Sequence, residues 1–175
     1  MTALYATTCN KETRRETASR LLARAAFLAW GWTELPPIAR GEKGKPFFPD
    51  RPHHRFNLSH SGTLVLCALS DEGEVGVDVE AVRPHRAGLP RYVMSEEEFA
   101  SFDGSWEDFT RIWTLKEAYA KQQGGSVFPP RTVPAPPPCA HHSYAGDGWR
   151  AALCAPHPPE EIVWVEFSES KTVSF

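Results

Sequence analysis

Six of the ten residues from 129 to 138, PPRTVPAPPP, are proline. Proline fixes φ and offers no N–H, so this stretch can be neither helix interior nor central strand. It reads as a stiff connection, and the WRAALCA and EIVWVEF segments after it are strand-like. Before it the patterns are mixed. Residues 3–8 suit a short strand. Residues 12–30 place Leu21, Leu22, Ala25, Leu28 and Ala29 at helical spacing, with Gly31 as a stop. Residues 36–54 are rich in Pro and Gly and read as loop. RFNLS and TLVLCALS are strand candidates, and the DEGE turn predicts a hairpin between TLVLCALS and VGVDVE.

Two further helices are predicted. In MSEEEFASF, Ser95 and Glu98 have the spacing of a capping box. In SWEDFTRIWTLKEAYAKQQGG, Ser105 and Asp108 stand in similar positions and Gly124-Gly125 ends the helix. Its apolar face is Phe109, Ile112, Trp113, Leu115 and Tyr119.

LVLCALSDEGEVGVDVE and RAALCAPHPPEEIVWVEF share a Leu-Cys-Ala strand, an acidic turn and a second strand ending near Glu. The fold class expected is therefore α+β, with two similar helix-plus-hairpin halves related by a pseudo-twofold axis and the active-site cleft between them. Residues 1–83 would form the N-terminal half and 84–175 the C-terminal half. A hydrophobic fraction of 41% with six Trp supports a packed core. The formal net charge of −3 provides no global field for nucleic acid. Cys67 and Cys154 lie in apolar runs and read as small buried hydrophobes. No signal peptide or membrane-length apolar run is visible, so a cytoplasmic location is expected.

The chemistry centres on GVDVE. In a strand, residues i and i+2 share a face, ~6.5–7 Å apart. Asp78 and Glu80 therefore point together while Val77 and Val79 face the core. Taken alone, the pair reads first as the solvated face of an edge strand. Glu117 and Lys121 lie one helical turn apart and read equally as an ordinary surface pair. Together, however, Asp78, Glu80 and Glu117 suit Mg²⁺, which takes a few carboxylates, waters and phosphate oxygens. NLSHS offers Ser59 and His60 either for phosphate oxygens or, through Ser59 and Ser61, as turn caps. GEKGKP supplies Lys43 and Lys45 without being a Walker A loop. Cys139, His141, His142, Cys154 and His157 fit no zinc template.

These segments, in the order GKPFFPD, FNLSHSGTLVLCAL, GVDVE and WTLKEAYAK, resemble the 4′-phosphopantetheinyl transferase superfamily, in its Sfp (surfactin-synthetase-activating) subtype, from about residue 12 to about residue 167. The resemblance implies transfer of 4′-phosphopantetheine from coenzyme A to a carrier-protein serine, with release of 3′,5′-ADP. It implies Asp78, Glu80 and Glu117 as ligands of Mg²⁺, with Mn²⁺ as the alternative, and Lys121 on a coenzyme A phosphate. Lys45, Ser59, His60 and Arg15 match contacts to the 3′-phosphate and its neighbours. The region before the first helix is shorter than usual for the subtype, so part of that pocket is expected to be missing or rebuilt from Lys11, Arg14 and Arg15. Glu117, or a water held by Glu80, would take the serine proton. The expected partners are an acyl, peptidyl or aryl carrier protein and coenzyme A, with no nucleic acid or membrane, and the chain is expected to be a monomer. The competing readings are a metal-dependent nuclease and a non-catalytic carrier-binding module.

Overall fold

The computed structural model describes residues 1–167. The elements run β1 (Thr2–Thr8), α1 (Arg14–Trp30), β2 (Ala39–Arg40), β3 (Pro46–Phe47), β4 (Arg55–Ser61), β5 (Leu64–Ser70), β6 (Gly76–Ala81), α2 (Leu89–Val93), α3 (Glu96–Ser101), α4 (Trp106–Gln122), a 3₁₀ turn (Pro130–Thr132), β7 (His141–Gly146), β8 (Trp149–Cys154) and β9 (Val163–Trp164). The fold is α+β. One sheet has the order β4-β5-β1-β9, a second has β6-β8-β7, and β2 and β3 form a small ladder in the stretch read as loop. The last eight residues of the expected C-terminal half lie outside the described residues.

The expected hairpins do not form. β5 pairs with β4 on one edge and with β1 on the other, all antiparallel. It therefore has no free edge for β6, and every one of its residues is buried. β8 is likewise taken on both edges, by β6 and β7. The true hairpins are β4–β5, turning at Gly62, and β7–β8, turning at Asp147-Gly148. Both glycines have positive φ, a region glycine enters without steric cost. β6 and β9 each leave the hairpin before them. β6 joins β8, and β9 joins β1 in parallel. The Leu-Cys-Ala likeness thus marks two central strands, each followed by a strand that crosses to the other sheet.

Between the sheets lies a core of Leu4, Ala6, Leu66, Ala68, Val77, Val79, Ala151 and Leu153. α1 covers the outer face of the first sheet with Leu21, Leu22 and Ala25, against Val65, Cys67 and Leu69. α4 covers the second with Leu115 and Ala118, against Ala152 and Cys154. The approach of α4 is close. A Cβ on Gly76 would lie 2.0 Å from the Ala118 carbonyl oxygen, so only glycine lets the helix sit there. Cys67 and Cys154 are buried, and burial pushes both thiols well above their ordinary pKa. Among the described residues no helix is long and apolar enough to cross a membrane.

The proline-rich stretch is anchored by a buried charge. Lys116 on α4 has no exposed surface, and its ammonium lies 2.7 Å from Glu98 Oε2. The same ammonium donates to the Pro130 carbonyl at 3.1 Å and to that of Val133. Glu98 also accepts from the Ser95 N–H, closing the predicted capping box, and from the Ala135 N–H. One ion pair therefore ties α3, α4 and the prolines together. Removing one partner of a buried pair strands the other without compensation. Glu98→Ala should cost about 3–5 kcal/mol in urea unfolding. Lys116→Met, which leaves Glu98 its two N–H donors, should cost less.

Candidate functional site

β6 is the strand on which the site is built. Its backbone is bonded to β8 on one side only. On the other side lies β4, and the bridge there is made by side chains. Asn57 Oδ1 accepts from the Val77 N–H at 2.9 Å, Ser59 Oγ from the Val79 N–H at 3.2 Å and Ser61 Oγ from the Ala81 N–H at 3.1 Å. The alternation of β4 explains the regularity, since residues 57, 59 and 61 share a face. Sequence reading missed this ladder. Its signal was the polar residue at every second position of NLSHS.

The valines of β6 enter the inter-sheet core, as expected, so Asp78 and Glu80 point the other way. Asp78 is only 4% exposed and is not part of a solvated edge. Its Oδ1 accepts from Ser59 Oγ at 3.0 Å and from the Lys121 ammonium at 2.6 Å, while Oδ2 is buried with no hydrogen-bond partner. Desolvation by burial raises the Asp78 pKa, with Lys121 pulling against it and Glu80 adding to it. Glu80 Oε2 accepts from Ser61 Oγ at 2.7 Å. Glu117, on α4, is raised first by burial and then by the charges of Asp78 and Glu80, so the three acids share one electrostatic neighbourhood.

Among the described residues no group of three or more His, Cys, Asp or Glu stands close enough together to form a ready metal cage. A hard cation that keeps waters and takes substrate oxygens needs only part of such a cage. The orphaned Oδ2 of Asp78 is an acceptor that lacks a cation or donor, and the oxygens here are of the type Mg²⁺ takes. The residues fit such an ion on that ground.

Lysines converge beside the acids. A cavity of about 160 Å³ is lined by Lys43, Gly44, Lys45, Asn57, Lys121 and the Gly124-Gly125 pair. Lys121 also reaches the Val77 carbonyl at 3.3 Å. Lys45 donates to Glu74 at 2.6 Å and to the carbonyls of Val75 and Gln122. Glu74 in turn pairs with Arg55 at 2.7 Å. Ser59, expected at a phosphate, is committed to the ladder and to Asp78. His60 is exposed and lies on the opposite side of β4 from Ser59. Arg15 is exposed on the first turn of α1, and neither residue is on the wall of the lysine cavity. On the Glu80 side a larger apolar cavity of about 310 Å³ is lined by Arg83, His85, Tyr92, Phe109 and Trp113 among others.

A family model described as the 4′-phosphopantetheinyl transferase superfamily matches residues 74–145. The 4′-phosphopantetheinyl transferase AcpT of Escherichia coli (strain K12) is 39% identical over 171 residues, covering 87% of this chain and 84% of that protein. The 4′-phosphopantetheinyl transferase Sfp of Bacillus subtilis (strain 168) is 32% identical over 152 residues, covering 73% and 67%.

The raised pKa of Asp78 means that its ionisation opposes folding. In metal-free protein, Asp78→Asn should therefore be more stable than the wild type at pH 7, by a higher urea midpoint. The advantage should fade as pH falls toward about 4, where the wild-type carboxyl is protonated too. A wild type more stable than the variant at pH 7 would mean that the Lys121 pair outweighs the burial.

Proposed function

The chain belongs to the 4′-phosphopantetheinyl transferase superfamily, and from that premise we propose that it transfers 4′-phosphopantetheine from coenzyme A to a serine of a carrier protein, yielding holo carrier and 3′,5′-ADP. The observation that carries this reading is the union of a buried, half-satisfied Asp78 with three lysines around one adjoining cavity. Lysines suit the phosphates of coenzyme A, and acids beside them suit a cation that offsets pyrophosphate charge.

In the proposed reaction the serine Oγ attacks the phosphorus that bears pantetheine. The P–O bond to 3′,5′-ADP breaks, and the serine proton passes to a base. We assign that role to Glu117 or to a water held by Glu80, the two groups placed at the acidic end of the site. Asp78, Glu80 and Glu117 would hold Mg²⁺, or Mn²⁺ in its place. When bound, the ion would neutralise charge on the phosphates during displacement. Lys121 and Lys45 would orient the coenzyme A phosphates from the cavity they line, while His60 and Arg15, which lie off its wall, would meet the nucleotide only where it extends beyond that cavity. The apolar cavity beside Glu80 would give room to the acceptor.

On this reading residues 1–83 supply the phosphate and metal motifs and residues 84–175 supply α4. A pseudo-twofold relation is proposed from the like strand orders β4-β5-β1 and β7-β8-β6, with β6 of residues 1–83 completing the second sheet. The chain would act as a cytoplasmic monomer, with an acyl, peptidyl or aryl carrier protein as partner and neither nucleic acid nor membrane.

Intact mass of candidate carriers after incubation with coenzyme A and Mg²⁺ tests the reaction, and no mass gain on any carrier would overturn it. Asp78→Ala should slow modification by about 10²–10³-fold, a loss of ~3–4 kcal/mol in transition-state stabilisation. Lys121→Ala should chiefly raise the KM for coenzyme A. Lys45→Ala should erase any preference for coenzyme A over the form lacking the 3′-phosphate, measured by calorimetry.

A further inference from the structure

The β4 ladder does more than satisfy the edge of β6. Ser59 Oγ accepts from the Val79 N–H and donates to Asp78 Oδ1. Ser61 Oγ accepts from the Ala81 N–H and donates to Glu80 Oε2. Each hydroxyl therefore links the carboxylate of one β6 residue to the backbone of the next. A hydroxyl has a single proton, and an incoming N–H occupies an oxygen lone pair. An ionised carboxylate only accepts, so the proton goes to it, and at Ser59 the second lone pair takes the Lys121 ammonium at 3.3 Å.

The effect on the acids is selective. One oxygen of each carboxylate is fixed by a serine, and the other is left over. For Asp78 that remaining oxygen is buried and without a partner. Asn57 supplies the internal contrast. It makes the same kind of bond to the Val77 N–H and makes no hydrogen bond to either carboxylate. A ladder needed only to hold β6 would be served by three residues like Asn57.

We propose that Ser59 and Ser61 are positioning residues that fix the rotamers of Asp78 and Glu80, so that the second oxygen of each is presented to a divalent cation. This rests on the assignment of Asp78 and Glu80 as cation ligands given above. It assigns Ser61 a role, and it gives Ser59 one apart from a phosphate contact. Partners that orient a metal-binding side chain typically change metal affinity 10–100-fold when removed.

The test measures Mn²⁺ binding to the full chain without coenzyme A or carrier, by the loss of the free-ion paramagnetic resonance signal, alongside urea unfolding. Ser61→Ala should weaken Mn²⁺ binding by about tenfold. Ser61→Thr keeps the hydroxyl and should restore wild-type affinity. Asn57→Ala should lower stability yet leave Mn²⁺ affinity within about twofold, because it removes a ladder bond that serves no carboxylate. Equal affinity of Ser61→Ala and wild type would overturn the positioning role while leaving the cation assignment standing. So would a loss that Ser61→Thr fails to restore, or an equal loss in Asn57→Ala. A wild type that binds no Mn²⁺ would overturn the cation assignment and this role with it.

Discussion

Strand β6 is held by backbone bonds on one side and by side chains on the other, and the site depends on that asymmetry. Backbone pairing would bring β4 to about 4.8 Å from β6 and close the sheets into one. Interposing Asn57, Ser59 and Ser61 keeps the strands apart while still satisfying the N–H groups of Val77, Val79 and Ala81. The two sheets then meet at a seam with hydroxyls along it. Asp78 and Glu80 project at that seam, between the hydroxyls of β4 and the helix that covers β6.

The molecule buries charge in two ways, and their difference separates scaffold from site. Lys116 is fully enclosed, with both Glu98 oxygens and two carbonyls around its ammonium. Every donor there has an acceptor, so the charge is a rigid fastening for α4 and the prolines. Asp78 is almost as deeply enclosed but keeps one oxygen without a partner. Leaving a buried acceptor unmatched costs stability. The two side chains reach opposite parts of the same helix. Lys116 holds α4 against α3, and Lys121, one and a half turns later, closes on Asp78. The fastening at residue 116 therefore also sets where Glu117 and Lys121 come to lie along β6.

Much of this was legible in the residues. The DxE spacing placed both acids on one face, and Val77 and Val79 declared the other. Ser95 with Glu98 announced its cap. The hairpins were misread because an acidic turn after TLVLCALS looks like a local return, while pairing is decided by which edges remain free. β5, apolar throughout, is a central strand, and that run was the available signal. β7 was missed because HHSYAG carries no apolar alternation, and it is defined by the Asp147-Gly148 turn and its pairing with β8. Lys116 was invisible as a structural residue because its acceptors come from the proline stretch, whose path no local pattern gives.

On the proposed reading, the lysine cavity is largely prepared for an anion before one arrives. Lys45 is held by Glu74, by the Val75 carbonyl and by the last carbonyl of α4, that of Gln122, and Arg55 shares the same Glu74. Cations at a helix C-terminus are stabilised there, so Lys45 has a resting place independent of ligand. Glu74 is about half exposed and its pairs are screened, so its hold on either cation is weak. A phosphate carries up to twice the charge of a carboxylate and offers more acceptor oxygens. In exchange for Glu74 it meets basic side chains already gathered at the cavity wall, with their ordering largely complete. Lys121 lines the cavity and also pairs with Asp78, so on the proposed reading this lysine would stand between bound phosphate and the acids of β6. On the proposed reading, an anion drawn to the lysines would be brought to the edge of the carboxylates, where a bridging cation would lower the energy of both.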